Sequence, residues 1–247
     1  MKLIELSQVD QTAVVDAQTR VADLQSSLAE HNLMLGVFHD PNSELTVGEL
    51  FMYNRHNLWQ GAFGYLRDQV LGGKWCLADG TFINSGARVV KSVAGYDITR
   101  LLLGSSNTFA KCQTLTLRLR PLRQELYYYR VDIDDYLKYS HYDLNPTSAI
   151  ADGLQQVVIS SHFALQRDYL HEIDTQKGMA LELNLWQNFL ASPGRHALES
   201  RPRVAPHPNF DWNSWQSPCE TTAEYSRVYL DKICLALCPN GERFVSE

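Results

Sequence analysis

Histidine is the side chain best suited to acid/base catalysis near neutral pH, and this chain of 247 residues has eight. Three of them, His56, His162 and His171, are candidate acid/base groups. None has a carboxylate or a serine at a spacing typical of a catalytic pair. We therefore interpret them as single surface or half-buried side chains, and the sequence predicts no catalytic residue.

Carboxylates that could bind a metal ion come together at one point of the chain, where Asp132, Asp134 and Asp135 are near neighbours. A calcium loop also needs a glycine and a distal glutamate, which this segment lacks. Because negative charge is favourable at the start of a helix, we predict that the three aspartates begin a solvated helix. No metal site is predicted here.

The five cysteines are few and odd in number, which argues against a disulfide scaffold and fits reduced thiols in the cytosol. Cys234 and Cys238 stand four apart, a spacing that a metal could use. No other Cys or His pair supplies a second half-site at zinc spacing. We interpret Cys234 and Cys238 as buried thiols.

The composition excludes several classes of function. With 22 basic and 28 acidic residues the net charge is −6, which gives no general attraction to nucleic acid or an anionic membrane. The run Tyr127–Tyr129 could stack on bases, but Arg130 is the one basic residue interleaved with it. No apolar run approaches the ~18–20 residues that span a bilayer, and the N-terminus lacks the apolar block of a signal peptide. We expect a cytoplasmic protein, peripheral to a membrane complex only through a partner.

The most informative segment, residues 46–122, combines glycines with small, hydroxyl and charged residues at several fixed spacings. In order it reads Thr46-Val47-Gly48, Gly64-Tyr-Leu-Arg67-Asp68, Leu77-Ala-Asp79-Gly80, Gly86-Ala-Arg88-Val-Val-Lys91, Ala94-Gly95-Tyr96-Asp97, Leu103-Gly104-Ser105 and Leu115-Thr-Leu-Arg118. The order and spacing of these motifs closely resemble the FAD-binding domain of the vanillyl-alcohol-oxidase (PCMH-type) flavoproteins. Within that family the segment is most similar to the second FAD-binding subunit of bacterial glycolate oxidase.

The resemblance implies an α+β chain: a PCMH-type FAD-binding fold with an incomplete first subdomain, followed by a smaller α+β cap domain. It also implies an enzyme subunit that takes a hydride from a 2-hydroxy acid onto flavin. A bound FAD needs converging backbone N–H groups at its pyrophosphate and small residues beside its ring. The residues that the resemblance assigns to the cofactor are Val47, Gly48, Gly64, Asp68, Gly104, Ser105 and Thr108.

The sequence departs from the family pattern where the flavin should bind. The family's first glycine loop is missing from the eleven residues before the opening strand, and so is the His-rich motif of the larger catalytic subunit. Where the family has glycine and small residues, this chain continues Gly48-Glu49-Leu-Phe-Met. The family's Gly-Ser-x-Gly-Thr-Leu-Gly becomes Gly104-Ser-Ser-Asn107-Thr-Phe-Ala110, although Asn107 can still adopt a left-handed conformation. We expect an eroded or incomplete flavin site, with weak or no FAD in the isolated chain.

The elements that would position these residues can be predicted from periodicity. In the first half we expect a strand at 12–17, a helix from Val21 to Leu33 and a hairpin turning at Asp79-Gly80. After the hairpin we expect a helix from Asp97 to Leu103 and a strand that carries Leu115, Leu117 and Leu119. We predict further strands at 127–133, Leu154–Ser161 and Met179–Trp186, with a helical stretch after the first of them. A proline-rich loop at 192–220 and a helix that begins with a Thr221/Glu224 capping box complete the expectation.

These elements suggest an FAD-binding-type domain at 1–122, a cap-like domain at 123–220, and a C-terminal helix and tail at 221–247 that returns to the first domain. The motif with Arg88, Lys91, Tyr96 and Asp97 is the best preserved, and we expect it to serve folding: Asp97 to cap a helix and Tyr96 to bury a large ring.

Besides the possibility that the fold binds another small ligand in the remodelled cleft, two functions remain open. One is an FAD-linked 2-hydroxy-acid dehydrogenase subunit, supported by the 46–122 match. The other is a flavin-free structural or interaction subunit that keeps the fold, in which Trp59, Phe63 and Trp75 fill the cleft or dock a partner. In either case we expect a protein partner, a flavin or iron–sulfur subunit of a dehydrogenase-type complex.

Overall fold

The computed structural model describes residues 3–55, 57–86, 98–107, 109–123, 125–139, 144, 146–152 and 155–191. It divides into two compact units. The first includes Met1–Arg55 and Tyr65–Leu122, and the second includes His56–Gly64 and the described residues from Arg123 onward. Nothing in the sequence pattern indicated that 56–64 would belong to the second unit.

The first unit combines one larger sheet with short helices. Its elements are β1 (Leu3–Ser7), β2 (Thr12–Asp16), α1 (Val21–Ala29), β3 (Leu33–Met34), α2 (Val47–Met52), a 3-10 turn (Leu66–Gln69), β4 (Val70–Leu77), β5 (Phe82–Gly86), α4 (Ile98–Leu102), β6 (Ala110–Arg118) and β7 (Arg120–Pro121). Five of the strands form an antiparallel sheet with the order β1-β2-β6-β4-β5. Strands β3 and β7 form a separate antiparallel pair in the same unit.

Alternating apolar residues on the central strands produce the core of this unit. Leu115 and Leu117 of β6 are fully buried, and Val15 of β2 pairs directly with Leu115. Helix α1 turns Leu24 and Leu28 toward the same core, as its spacing predicted. The predicted continuation of this helix to Leu33 is wrong. The helix ends at Ala29, Asn32 has a φ of +56°, and Leu33 pairs with Pro121 in a strand instead.

The predicted hairpin at Asp79-Gly80 is confirmed, with β4 and β5 as its antiparallel strands. Of the two turn residues, only Gly80 has a positive φ, +84°. Asp79 acts instead through its side chain, whose Oδ1 accepts the Thr81 N–H at 2.8 Å. The short helix before Gly104 and the strand that carries Leu115 and Leu117 also agree with the structure.

The second unit contains a second antiparallel sheet. Its elements are α3 (Gln60–Phe63), β8 (Tyr127–Asp132), α5 (Ile133–Tyr139), β9 (Ser148–Asp152), β10 (Gln156–Ser161), β11 (His171–Ile173) and α6 (Thr175–Ala191). The four strands have the order β11-β8-β10-β9. On one face of the sheet Tyr129, Val131 and Ile159 form an apolar cluster with Tyr136 of α5. Tyr128 and Ser148 lie on the opposite face, against α6.

The predicted strand at Met179–Trp186 is wrong, because these residues lie within α6. Leu181, Leu183 and Leu185 alternate with polar residues, which imitates a strand. The residues that bury one face are instead spaced by four: Gly178, Glu182 and Trp186. Because Glu182 is polar, a pattern of apolar residues alone does not show the helical period of this segment.

Several expectations concern residues outside the described part of the chain. They are the motif with Arg88, Lys91, Tyr96 and Asp97, the loop at 192–220, the helix from Thr221, and Cys219, Cys234 and Cys238. The three-segment domain scheme therefore stays a prediction. The described residues contain no helix that is both long and apolar enough to cross a membrane.

Candidate functional site

The first candidate cofactor segment, residues 46–49, forms the start of α2. Thr46 is the N-cap: its Oγ1 accepts the Glu49 N–H at 3.2 Å. Glu49 returns the contact, because its Oε2 accepts the Thr46 N–H at 2.9 Å and the Thr46 hydroxyl at 3.0 Å. This reciprocal capping box satisfies two N–H groups at the helix start. The carboxylate that replaces a small residue of the family pattern thus closes the end of its own helix.

The backbone of Val47 and Gly48 is tied to the loop after β2. The Val47 N–H donates to the Thr19 carbonyl at 2.8 Å, and the Gly48 N–H donates to the Ala17 carbonyl at 2.7 Å. A Cβ on Gly48 would lie 2.9 Å from the Ala17 oxygen and 3.1 Å from the Ala17 Cβ. Gly48 is therefore needed for the close approach of α2 to this loop, and its N–H is used within the chain.

The bulky residues that follow in α2 belong to the core. Leu50, Phe51 and Met52 are each at most 2% exposed and pack in the main apolar cluster of the first unit. Where the family has small residues beside its cofactor, this helix has side chains committed to the interior.

The second candidate segment, Gly104 to Asn107, contacts the other end of α2. The Gly104 N–H donates to the Phe51 carbonyl at 3.2 Å, and the Ser106 N–H donates to the Met52 carbonyl at 2.9 Å. Gly104, Ser106 and Asn107 have φ values of +74°, +53° and +60°. The expectation that Asn107 can adopt a left-handed conformation in place of a family glycine is confirmed. Ser105 donates its N–H to the Leu102 carbonyl, which closes the end of α4.

The backbone N–H groups of the other two described candidates, Gly64 and Asp68, donate to residues outside α2. Asp68 lies exposed on the 3-10 turn, where its carboxylate is 3.4 Å from an Arg100 guanidinium nitrogen. Gly64, with a φ of +84°, ends α3 in the second unit. Thr108 is outside the described residues. The structure thus brings Val47, Gly48, Gly104 and Ser105 to the two ends of one helix, roughly 9 Å long from its six residues.

One property is shared by all the candidate cofactor residues that the structure describes: each donates its backbone N–H to a carbonyl of the chain. The acceptors are Thr19 for Val47, Ala17 for Gly48, Gln60 for Gly64, Tyr65 for Asp68, Phe51 for Gly104 and Leu102 for Ser105. A pyrophosphate is recognised by N–H groups that point at it and have no internal partner. Among the described candidates, the backbone does not fit this requirement.

Two of the three histidine candidates are described, and they are a half-buried and a surface side chain, as the sequence interpretation expected. His171 is exposed on β11, and His162 is half-buried with Nδ1 3.3 Å from the Glu125 carbonyl oxygen. Burial lowers the pKa of His162, which favours the neutral ring. His56 is outside the described residues.

The acidic candidates agree in the main with the predicted helix start. Asp134 and Asp135 lie in the first turn of α5, whereas Asp132 is the last residue of β8. Within the described ranges, no three His, Cys, Asp or Glu side chains are grouped to hold a metal.

The aromatic residues divide between the two units. Trp75 is fully buried in the first, where its Nε1 donates to the Ser85 hydroxyl at 2.7 Å and Ser85 contacts the Thr99 hydroxyl at 2.7 Å. Trp59 and Phe63 pack edge to face in the second unit at 5.8 Å between ring centroids. Trp75 is thus a core residue held by a hydroxyl chain.

Sequence reasoning missed a polar cluster on the α6 face of the second unit. Glu182 is 1% exposed, and its carboxyl contacts the hydroxyls of Tyr128 and Ser148. In the strand predicted at 179–186, Glu182 would lie on the polar face, opposite the alternating leucines. A spacing of four between Gly178, Glu182 and Trp186 was the signal that could have identified the buried face of the helix, but not the hydroxyls that meet it.

Comparison with known proteins shows what the first part of the chain is similar to. Residues 1–86 match the model of the FAD binding domain. An FAD-linked oxidoreductase of Mycobacterium tuberculosis is 31% identical over 120 residues, which cover 49% of this chain and 26% of that protein. The mitochondrial D-lactate dehydrogenase [cytochrome] of Arabidopsis thaliana is 30% identical over 115 residues, 47% of this chain and 20% of the relative. The glycolate oxidase subunit GlcD of Bacillus subtilis is 29% identical over 124 residues, 49% and 26% of the two chains.

Solved structures extend the likeness of fold beyond the matched segment. An alkyldihydroxyacetonephosphate synthase covers 81% of this chain and 43% of its own, with a TM-score of 0.54 and 12% identity. The resemblance to PCMH-type FAD-binding proteins and the α+β class are thereby confirmed. The chain spans about a quarter of the length of the curated relatives it matches.

Proposed function

We propose that this chain, whose residues 1–86 match the FAD binding domain family, is a subunit of an FAD-linked oxidoreductase that acts on 2-hydroxy acids and has lost independent flavin binding. The relatives support the oxidoreductase class, because they include D-lactate dehydrogenases and a glycolate oxidase subunit. The observation that carries the proposal is the internal use of every candidate N–H donor that the structure describes.

The negative charge of Glu49 also supports the proposed loss of flavin binding. The capping box holds the Glu49 carboxylate at the start of α2, where it accepts hydrogen bonds from the Thr46 N–H and hydroxyl. A phosphate brought to this helix end would meet that carboxylate and would have to displace the Thr46–Glu49 contacts. Like charges at short distance are unfavourable, so this end of α2 is a poor anion site.

The absorption spectrum of the purified chain tests this proposal. We expect a preparation without stoichiometric FAD, and no saturable quenching of flavin fluorescence when FAD is added to the folded protein. Thermal melting in parallel shows whether the protein is folded, so an unfolded sample is not counted as support. A yellow preparation with about one flavin per chain would refute the proposed loss of flavin binding.

A partner subunit is the second part of the proposal, and the edge of the first sheet supports it. Strand β1 is an edge strand of the first unit's sheet, and Ile4 on it is 55% exposed. Edge strands with exposed apolar residues are usually covered or paired. We propose that a flavin or iron–sulfur subunit of a dehydrogenase-type complex covers β1.

Coexpression with the proteins encoded beside this chain, followed by native mass measurement, tests the partner. Ile4→Glu should reduce recovery of a flavin- or iron–sulfur-containing complex by about tenfold or more, because a charge buried without a partner is costly. Leu137→Glu is a matched control, since Leu137 is 54% exposed on α5 of the second unit. A chain that is monomeric under all these conditions, or equal losses in both variants, would contradict the assignment of β1 as the interface.

A further inference from the structure

The second unit buries a carboxyl group that the proposed function does not use. Glu182 lies on α6, 1% exposed, with Oε2 3.2 Å from the Tyr128 hydroxyl and Oε1 in contact with the Ser148 hydroxyl. Ser148 and Ser160 are joined at 2.6 Å between their oxygens. Three adjacent strands of the sheet therefore meet the helix through one carboxyl and a set of hydroxyls.

The register of the sheet explains why these groups meet. Ser160 of β10 pairs directly with Tyr128 of β8 on one side and with Ser148 of β9 on the other. Directly paired residues share a face of the sheet, so the three hydroxyls form a row across adjacent strands. The helix approaches this row closely, because Gly178, one turn before Glu182, packs on the Tyr128 ring with no space for a Cβ.

The charged groups that the structure describes on this face do not neutralise Glu182. On β8, Arg130 and Asp132 share the side of Tyr128, and Arg130 forms an ion pair with Asp152 of β9 at 2.9 Å. On β11, His171 pairs with Arg130 in the register and is exposed. The α6-facing residues of β10 are Gln156, Val158 and Ser160, none of which is charged. On α6 itself, Lys177 is exposed.

We propose that Glu182 is held as the neutral carboxylic acid, and that loss of its proton at higher pH releases α6 from the four-stranded sheet. The neutral acid donates its own proton to a serine oxygen while Tyr128 donates to its other oxygen, so the row of hydroxyls is satisfied without a buried charge. The carboxylate would keep the same hydroxyls, but among the described residues it has no cation to offset its charge, and burial in that state is costly.

The direction of the pKa shift agrees with this geometry. Burial raises the pKa of Glu182, and hydrogen bonds from Ser148, Tyr128 and Ser160 offset only part of that effect. A carboxyl whose pKa is higher in the folded state stabilises the fold below its unfolded pKa, and this stability is lost as the pH rises through the folded pKa. Each unit by which folding raises the pKa lowers the folded-to-unfolded ratio tenfold at high pH.

Thermal melting from pH 4.5 to 9 of the wild type, Glu182→Gln and Glu172→Gln tests the proposal. The glutamine side chain in Glu182→Gln would keep a donor and an acceptor but no titratable proton, and Glu172 is an exposed carboxyl on β11 that serves as the control. We expect Glu182→Gln to match the wild type at low pH and to melt higher at pH 9, by roughly 3–5 °C for each tenfold change in the ratio. Glu172→Gln should follow the wild-type profile.

Hydrogen exchange locates the effect. After correction for the intrinsic pH dependence of exchange, amides of α6 should lose protection at pH 9 in the wild type and keep it in Glu182→Gln, while amides of α5 change equally in both. Tyr128→Phe removes a donor that favours the carboxylate, so it should raise the folded pKa of Glu182 further. The total loss of stability between low and high pH should then be larger than in the wild type. Parallel melting profiles for the wild type and Glu182→Gln, or α6 protection that is independent of the side chain at position 182, would overturn the proposal.

Discussion

Replacing Gly48 by alanine separates two reasons for a glycine at the start of α2. If the glycine serves a bound pyrophosphate, the substitution changes cofactor affinity and leaves the apoprotein's stability alone. If it serves packing, the fold itself loses stability. The structure supports the second reason, since the new Cβ would lie 2.9 Å from the Ala17 carbonyl oxygen and 3.1 Å from the Ala17 Cβ.

The magnitude follows from two opposing effects. Overpacking a well-packed position costs roughly 1–3 kcal/mol. A Cβ at position 48 would lie so close to the Ala17 oxygen, at 2.9 Å, that the helix or the loop would have to move. In the opposite direction, replacing a glycine in a helix by alanine stabilises the helix by up to about 1 kcal/mol. Because a backbone oxygen cannot turn aside as a flexible side chain can, the cost lies in the upper half of that range, and the net loss in free energy of unfolding is about 1–2 kcal/mol. This corresponds to roughly 2–8 °C in melting temperature for a chain of this size.

The assay is chemical denaturation of the wild type, Gly48→Ala, Ala17→Gly and the double variant, with FAD titration alongside. Removing the Ala17 Cβ relieves the 3.1 Å contact but not the one to its oxygen, so the double variant should recover part of the loss beyond additivity. Unchanged stability of Gly48→Ala together with a loss of FAD binding would refute both the packing role and the proposed loss of the flavin site.

Two further outcomes follow from contacts in the first unit. Thr46→Ala should lower the free energy of unfolding, measured by urea denaturation, by about 1 kcal/mol, because it removes the acceptor for the Glu49 N–H. The control Thr46→Ser keeps the capping box and should have a stability near that of the wild type. Burial, and to a smaller extent the nearby Asp16 carboxylate, raise the pKa of the Cys112 thiol to about 12. In the native protein at pH 8 we therefore expect an alkylating reagent to label the half-buried Cys76 but not Cys112. Peptide mass analysis measures the labelling of each cysteine. Equal labelling of the two cysteines before denaturation would contradict this burial.

The elements best predicted from sequence are those whose signal is local. Apolar alternation at Leu115 and Leu117 identified β6, and the Asp79-Gly80 turn identified the hairpin, because each depends on a few adjacent residues. The end of α1 was wrong since Asn32 turns the chain with a positive φ that the apolar spacing to Leu33 does not reveal.

The errors in the second half arise from tertiary contacts. Glu182 looks like a surface residue in the sequence, yet the hydroxyls that bury it come from strands 22 to 54 positions away in the chain. No window of a single segment contains that information. Likewise, the sequence shows that Glu49 replaces a small residue, but only the fold shows that Thr46 is its partner and that the resulting box closes α2.

The proposed loss of flavin binding can be traced to individual N–H groups in a fold that is otherwise retained. Gly48 and Gly104 match the family motif by residue type, and the resemblance of the sequence assigns both to the cofactor. In the structure the same two N–H groups donate to the Ala17 and Phe51 carbonyls, so the contacts join α2 to its neighbours. A backbone donor satisfied in this way stabilises the fold whether or not a ligand is bound, so under the proposed loss of flavin the motif would still be needed for folding.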